Sequence, residues 1–161
     1  MATRKFSKKA FKKWLDCLAA IVVKTDDNYT CQIRMSPDCA GAMLPLDRNC
    51  QWCHIKSRSS NNLRWDTWNA ITGCGACHKW AHDNPNEFGV WFAKNYRHRN
   101  ENLNEPRFTK TWKEDDFKQV EYDLLKEALD VEVDYMSMMP SWGYRERLKR
   151  KLEDLRSSDA R

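Results

Sequence analysis

The chain has 161 residues, with 28 Lys and Arg against 23 Asp and Glu and a net charge of +5, and this length suits one domain of about 100 to 150 residues with a helical extension and argues against a second independent core. No stretch approaches the roughly 20 apolar residues of a membrane span, and the N-terminus lacks the ~7 to 15 residue apolar run of an export signal, so the reading is a soluble, intracellular protein with no membrane partner. Seven cysteines, an odd number that includes a Cys-x-x-Cys pair beside a histidine, argue for metal binding over a secreted disulfide framework.

The positive charge is concentrated near the start. Up to Lys24 the basic residues are Arg4, Lys5, Lys8, Lys9, Lys12, Lys13 and Lys24, with Asp16 the one acid, an arrangement that draws a polyanion. In the same stretch Phe11, Trp14, Leu15, Leu18, Ile21 and Val22 recur at helical spacing and predict an amphipathic helix, with Cys17 a packed free thiol. From Cys31 to His82 the helical period disappears, and cysteines, histidines, Pro37, Gly41 and Pro45 punctuate short segments, as in small metal-organised folds. Asn84 before Pro85 predicts an N-cap for a helix over Asn86–Tyr96 that buries Phe88, Trp91 and Phe92. Arg97 to Arg107 reads as a polar loop. Thr111 with Glu114 has the pattern of a capping box ahead of a long acidic helix ending near Pro140. Ser141 would cap a last helix whose stripe of Leu148, Leu152 and Leu155 needs a partner, making a homodimer a candidate.

His54, Asn69, His78 and His82 are separated by fourteen, eight and three residues, and Cys53, Cys74 and Cys77 fall among them. His78 and His82, at i and i+4, share a helix face and can grip one cation. This His-x14-Asn-x8-His-x3-His pattern resembles the HNH endonuclease family, with the spacing of the colicin-type DNase domains. The run from Cys53 to Phe88 also resembles HNH proteins of bacteriophages, including recombination nucleases of the NinG type.

The resemblance implies an α+β fold: a zinc-stapled, treble-clef-like ββα-metal finger over residues 29–98, after a basic helix at 1–28 and before a helical extension at 99–161. It implies a catalytic set of His54 as general base, Asn69 holding the loop that aims it, and His78. The catalytic cation (Mg²⁺, Mn²⁺, Ni²⁺ or Zn²⁺) would lie on His78 and His82. Cys53 stands where the family commonly has an Asp or His ligand, and a thiolate favours softer ions. A structural zinc would take Cys74 and Cys77 with Cys31 and Cys39, seven residues apart, or else with Cys50 and Cys53. Lys56, Arg58 and Arg64, with Lys8 and Lys12, are the candidate DNA contacts.

The function expected is metal-dependent hydrolysis of DNA in the cytoplasm of a bacterial host, with other phage replication, recombination or packaging proteins as possible partners. Two alternatives stand beside it. One is a nuclease of branched DNA acting in phage recombination. The other is a zinc module that binds nucleic acid or protein without cutting, in which Asn69 is an ordinary turn residue and the tryptophans are core. Trp65, beside Arg64, is the tryptophan best placed to touch nucleic acid, and His98 reads as solvated.

Overall fold

A computed structural model describes residues 7–59, 61–105, 111–132 and 142–159. The expected cap at Ser141 lies outside them, as do Arg4 and Lys5; the helix expected to run to near Pro140 stops at Asp130, where Val131 is the C-cap and its N–H returns to the Glu127 carbonyl. The protein is α+β. Among the described residues seven helices surround one two-stranded antiparallel sheet. No helix there is long and apolar enough to cross a membrane.

Helix α1, Lys8–Asp26, starts where Ser7 Oγ accepts the Ala10 N–H at 3.4 Å, an N-cap that satisfies one orphan amide. Its apolar face buries Trp14, Leu15, Leu18, Ile21, Val22 and Val23, and the chain turns away through Asn28 and Tyr29, both at positive φ. Helix α6, Glu114–Asp130, and helix α7, Trp142–Asp159, complete this core with Phe117, Leu124, Leu125, Leu148, Leu152 and Leu155. Burying each such side chain stabilises by about 1.5–3 kcal/mol. The leucine stripe that suggested a dimer is therefore covered inside the chain. Glu121 is buried in the same core, its Oε1 accepting from Trp14 Nε1 at 2.6 Å and Arg147 Nη2 at 2.7 Å, its Oε2 from Lys151 Nζ at 2.9 Å. α6 begins two residues later than the Thr111–Glu114 pattern placed it: Asp116 accepts the Lys113 N–H at 2.8 Å.

The remaining elements are β1, Cys50–His54; α2, Asn61–Arg64; a 3-10 turn, Thr67–Asn69; β2, Ala70–Cys74; α3, Gly75–Asp83; α4, Pro85–Asn95; and α5, Arg97–Asn104. In the ladder Cys50 faces Cys74 and His54 faces Ala70, so both ends of the hairpin carry chemistry. A second core of Ile33, Cys53, Ile71, Ala81, Phe88, Phe92 and Leu103 packs around buried cysteines.

Two expectations need correcting here. Arg97 to Asn104 is helical, because Arg99 is drawn inward: its guanidinium donates to the carbonyls of Thr67, Trp68 and Ala70. Asn84 precedes Pro85 as expected, but its side chain makes no cap bond; it donates to the Trp80 carbonyl at 2.9 Å and closes α3 instead.

Candidate functional site: a histidine cleft beside a cysteine cluster

The cysteine cluster joins a loop to a helix start. Cys74 is the N-cap of α3, its sulfur accepting the Cys77 N–H at 3.5 Å. The loop bends through Arg34 and Gly41, both at positive φ; at Gly41 this is a conformation glycine adopts freely. Its ends are tied by Cys31 N–H to the Gly41 carbonyl at 2.8 Å. The sulfurs of Cys31, Cys39, Cys74 and Cys77 consequently all lie within 4.8 Å of one another. Four thiolates on a tetrahedral zinc stand about 3.8 Å apart at a Zn–S length near 2.3 Å, so these cysteines can hold a metal ion such as zinc. Cys50 is buried on β1 and remains outside the four.

Their acidities fit that role. Burial raises the Cys74 thiol, but N–H donors from Ala40 and Cys77 and the neighbouring thiols of Cys77 and Cys31 outweigh it and bring it down to about 7. Burial and the adjoining sulfurs push Cys77 up to about 12, and burial raises Cys31. One thiolate is stabilised and the next is opposed by the first, a conflict that a bound dication removes.

Past the hairpin lies a cleft of about 490 Å³, lined by Trp52, His54, Arg58, His78, His82 and Phe88 among others. His54 ends β1, and its Nε2 meets the Arg64 carbonyl at 3.1 Å. A carbonyl only accepts, so Nε2 carries the proton and Nδ1 keeps its lone pair. Burial lowers the His54 pKa, and the Arg58 and Arg64 charges add to this against the Arg64 carbonyl and Asp16. The ring is thus neutral near pH 7. It packs on Trp52 at 4.2 Å between centroids, and the Trp52 indole N–H is buried with no acceptor among the described residues.

Asn69 is fully buried beneath the loop after His54. Its Nδ2 donates to the carbonyls of Lys56 and Leu63, both at 3.0 Å, and its Oδ1 accepts the Lys56 N–H at 2.8 Å. With Ile55 N–H on the Asn69 carbonyl at 2.8 Å, one side chain sutures both ends of the segment that follows His54.

On α3 the Nε2 atoms of His78 and His82 stand 3.1 Å apart. Two nitrogens about 2.0–2.1 Å from one cation, at tetrahedral or octahedral angles, are separated by about 2.9–3.4 Å, so the pair fits a shared ion. His78 Nδ1 lies 2.6 Å from Gln51 Oε1. Burial lowers the His78 pKa, with His82, His54 and Arg58 contributing. Compared with protein-family models, curated proteins and solved structures, the chain matches none.

Cys53 also lines this cleft, but its sulfur forms no three-ligand group with His78 and His82. Its sulfur faces the Gln51 carbonyl at 3.7 Å and sits against the second core; burial, then the Cys31 and Cys74 sulfurs, raise its pKa. Among the described residues the four-cysteine cluster alone brings three or more candidate ligands within 4.8 Å of one another. Arg64 is also placed differently from expectation. Its Nε and Nη2 donate to Asp16 at 2.8 and 2.7 Å, so the fork expected on a phosphate is closed on α1.

Trp65 is buried and donates to the same Asp16 at 2.9 Å, so it offers no face to nucleic acid. Lys12 donates to Asn61 Oδ1 at 3.0 Å, Lys8 lies 5.3 Å over the Phe117 ring, and Lys56 reaches Asn104. Arg58 is exposed on the cleft rim, and Lys8, Lys9, Lys12 and Lys13 line a basic hollow together with Arg64 and Asp16. His98 is exposed beside Trp68. A larger hollow of about 590 Å³ near Asn61, Trp112 and Glu127 contains no histidine or cysteine. Asp16, Gln51 and Arg99 were missed by the sequence reading. None has a spacing that marks it; each acquires its role from a partner at least 27 residues away.

Proposed function

We propose that this protein is a divalent-metal-dependent endonuclease that hydrolyses DNA phosphodiester bonds, with zinc on Cys31, Cys39, Cys74 and Cys77 as its structural staple. The observation that carries the reading is the cleft, where a neutral imidazole with a directed lone pair stands with two histidine nitrogens 3.1 Å apart. The HNH resemblance of the same residues supports it.

In this mechanism His54 Nδ1 takes a proton from the attacking water, and general-base assistance of this kind contributes about 10²- to 10⁴-fold. The Arg64 carbonyl stabilises the imidazolium that forms, since its bond to Nε2–H strengthens as the ring gains charge. Asn69 keeps the neighbouring loop from drifting. His78 and His82 would hold the cation, which supplies Lewis-acid polarisation of a phosphoryl oxygen and stabilises charge on the leaving 3′ oxygen. Arg58 offers a free guanidinium at the rim, and the lysines of α1 add a sequence-independent attraction for the backbone. The products are 5′-phosphate and 3′-hydroxyl ends.

Plasmid cleavage by wild-type and His54→Ala protein, each with EDTA, Mg²⁺, Mn²⁺, Ni²⁺ or Zn²⁺, tests the reading. Metal-dependent nicking that disappears in a folded, zinc-loaded His54→Ala protein supports it. Equal activity in both, or none in either, moves the assignment to a zinc module that binds without cutting. A parallel assay on linear and four-way DNA separates a general nuclease from one devoted to recombination.

A further inference from the structure

Two imidazoles at helical spacing make a cation site only where each can turn a bare nitrogen to the ion; without an ion, one Nε2–H donates to the other across the 3.1 Å between them. In a neutral histidine one nitrogen bears hydrogen, and the group bonded to the other side of the ring decides which. For His78 that group is Gln51, whose Oε1 lies 2.6 Å from Nδ1. An amide oxygen accepts and cannot donate. The contact therefore places hydrogen on Nδ1 and leaves Nε2, the atom facing His82, with its lone pair.

The backbone around Gln51 keeps room for this contact. β1 pairs Gln51 with Gly73, one residue before the α3 cap, which brings the amide to the start of the helix that carries His78. At Gly75 a Cβ would stand 3.3 Å from Gln51 Nε2 and 2.9 Å from Asn49 Oδ1. The Asn49 oxygen accepts the Gly75 N–H at 2.7 Å. The glycine thus lets two side chains of the preceding strand region close on the first turn of α3.

We infer that Gln51 is the positioning residue of the histidine cleft, fixing His78 in the Nδ1–H form so that its Nε2 and that of His82 can take one divalent cation. This inference rests on the cation-binding part of the function proposed above. The same oxygen also fixes the ring's rotation, so removing it frees both tautomer and rotamer. A carboxylate at position 51 keeps the acceptor and adds negative charge, which makes the ring a better donor to a cation.

The test is Mn²⁺ titration of zinc-loaded protein followed by electron paramagnetic resonance, together with ¹⁵N shifts of the His78 ring recorded without Mn²⁺. Gln51→Leu is expected to weaken Mn²⁺ binding by about 10- to 100-fold and to mix the His78 tautomers, with zinc content unchanged. Gln51→Glu is expected to preserve the Nδ1–H form and bind Mn²⁺ at least as tightly as wild type. Should Gln51→Leu lose its zinc, Gln51→Met takes its place. Wild-type affinity in the apolar variant, or an equal loss in Gln51→Glu, overturns the inference. Wild-type protein that binds none of Mn²⁺, Mg²⁺, Ni²⁺ and Zn²⁺ beyond its cysteine-held ion would instead sink the cation-binding part of the proposed function; unchanged His78 shifts in Gln51→Leu would then overturn the role of Gln51 independently.

Discussion

The helical core of α1, α6 and α7 and the hairpin region around the cysteines reach order by different physics. The first buries a tryptophan, a phenylalanine and a row of leucines, and its stability grows with apolar area, which is tolerant of small displacements. The second has an apolar core of its own, with Ile33, Ile71, Phe88, Phe92 and Leu103, and adds directional contacts to it: four sulfurs, the three side-chain bonds of Asn69, and the Arg99 fork on three carbonyls. Such contacts specify position sharply and fail abruptly when one partner is lost. The general base proposed for His54 would need aiming of the second kind, braced by the first.

With zinc on the four cysteines as proposed, the comparison breaks most visibly when that ion is withdrawn. Cys77→Ser, or a strong chelator, is expected to abolish amide-exchange protection from Cys50 to Asp83 while α1 and α6 stay protected, since structural zinc contributes roughly 10–16 kcal/mol in small zinc modules. Uniform loss of protection would show that the two regions are one cooperative unit. Glu121→Ala should do the converse. It leaves Arg147 and Lys151 beside each other without their shared acid, costs about 3 kcal/mol in the helical core, and leaves zinc content unchanged; thermal unfolding checks it.

Acidity sharpens the contrast further. His54 and His78 both have pKa values lowered below 6.5 by burial. The unfolded chain binds more protons than the folded one below that value, so stability contributed by these neutral rings is complete above about pH 6.5 and is lost as pH falls through it toward the folded pKa values. Denaturant midpoints of zinc-loaded protein should fall between pH 7 and 5, and less in His54→Phe. The smallest effect belongs to Asp16→Asn. Its pair with Arg64 is about a quarter exposed on each side, so the loss is about 1 kcal/mol in global stability, read from the same midpoints.

Much of the site could be read along the chain because ligand chemistry has its own spacing. Cys77, His78 and His82 lie on one helix with Cys74 as its N-cap, and their grouping follows from i, i+3 and i+4 geometry. Choosing Cys31 and Cys39 over Cys50 and Cys53 was harder, since strand pairing sets Cys50 opposite Cys74 while loop curvature brings the other two to it. The engagement of Arg64 and Trp65 with α1, where a nucleic-acid contact is expected, escapes the sequence for a related reason. Their partner Asp16 lies 48 and 49 residues away, and no local pattern announces an ion pair between a helix and a distant turn. Helix α5 was missed because its composition is polar throughout; it is anchored inward by Leu103 and the buried portion of Arg99.

Arg64 gives the molecule a mechanical continuity that neither region has alone. Its backbone oxygen holds the His54 ring while its guanidinium is clamped to α1, and the adjacent indole is clamped to the same carboxylate. The lever arm between the proton acceptor and the helix axis is therefore a single residue long. A slip of α1 along its own axis would have to strain either the Asp16 clamp or the bond that orients the His54 ring.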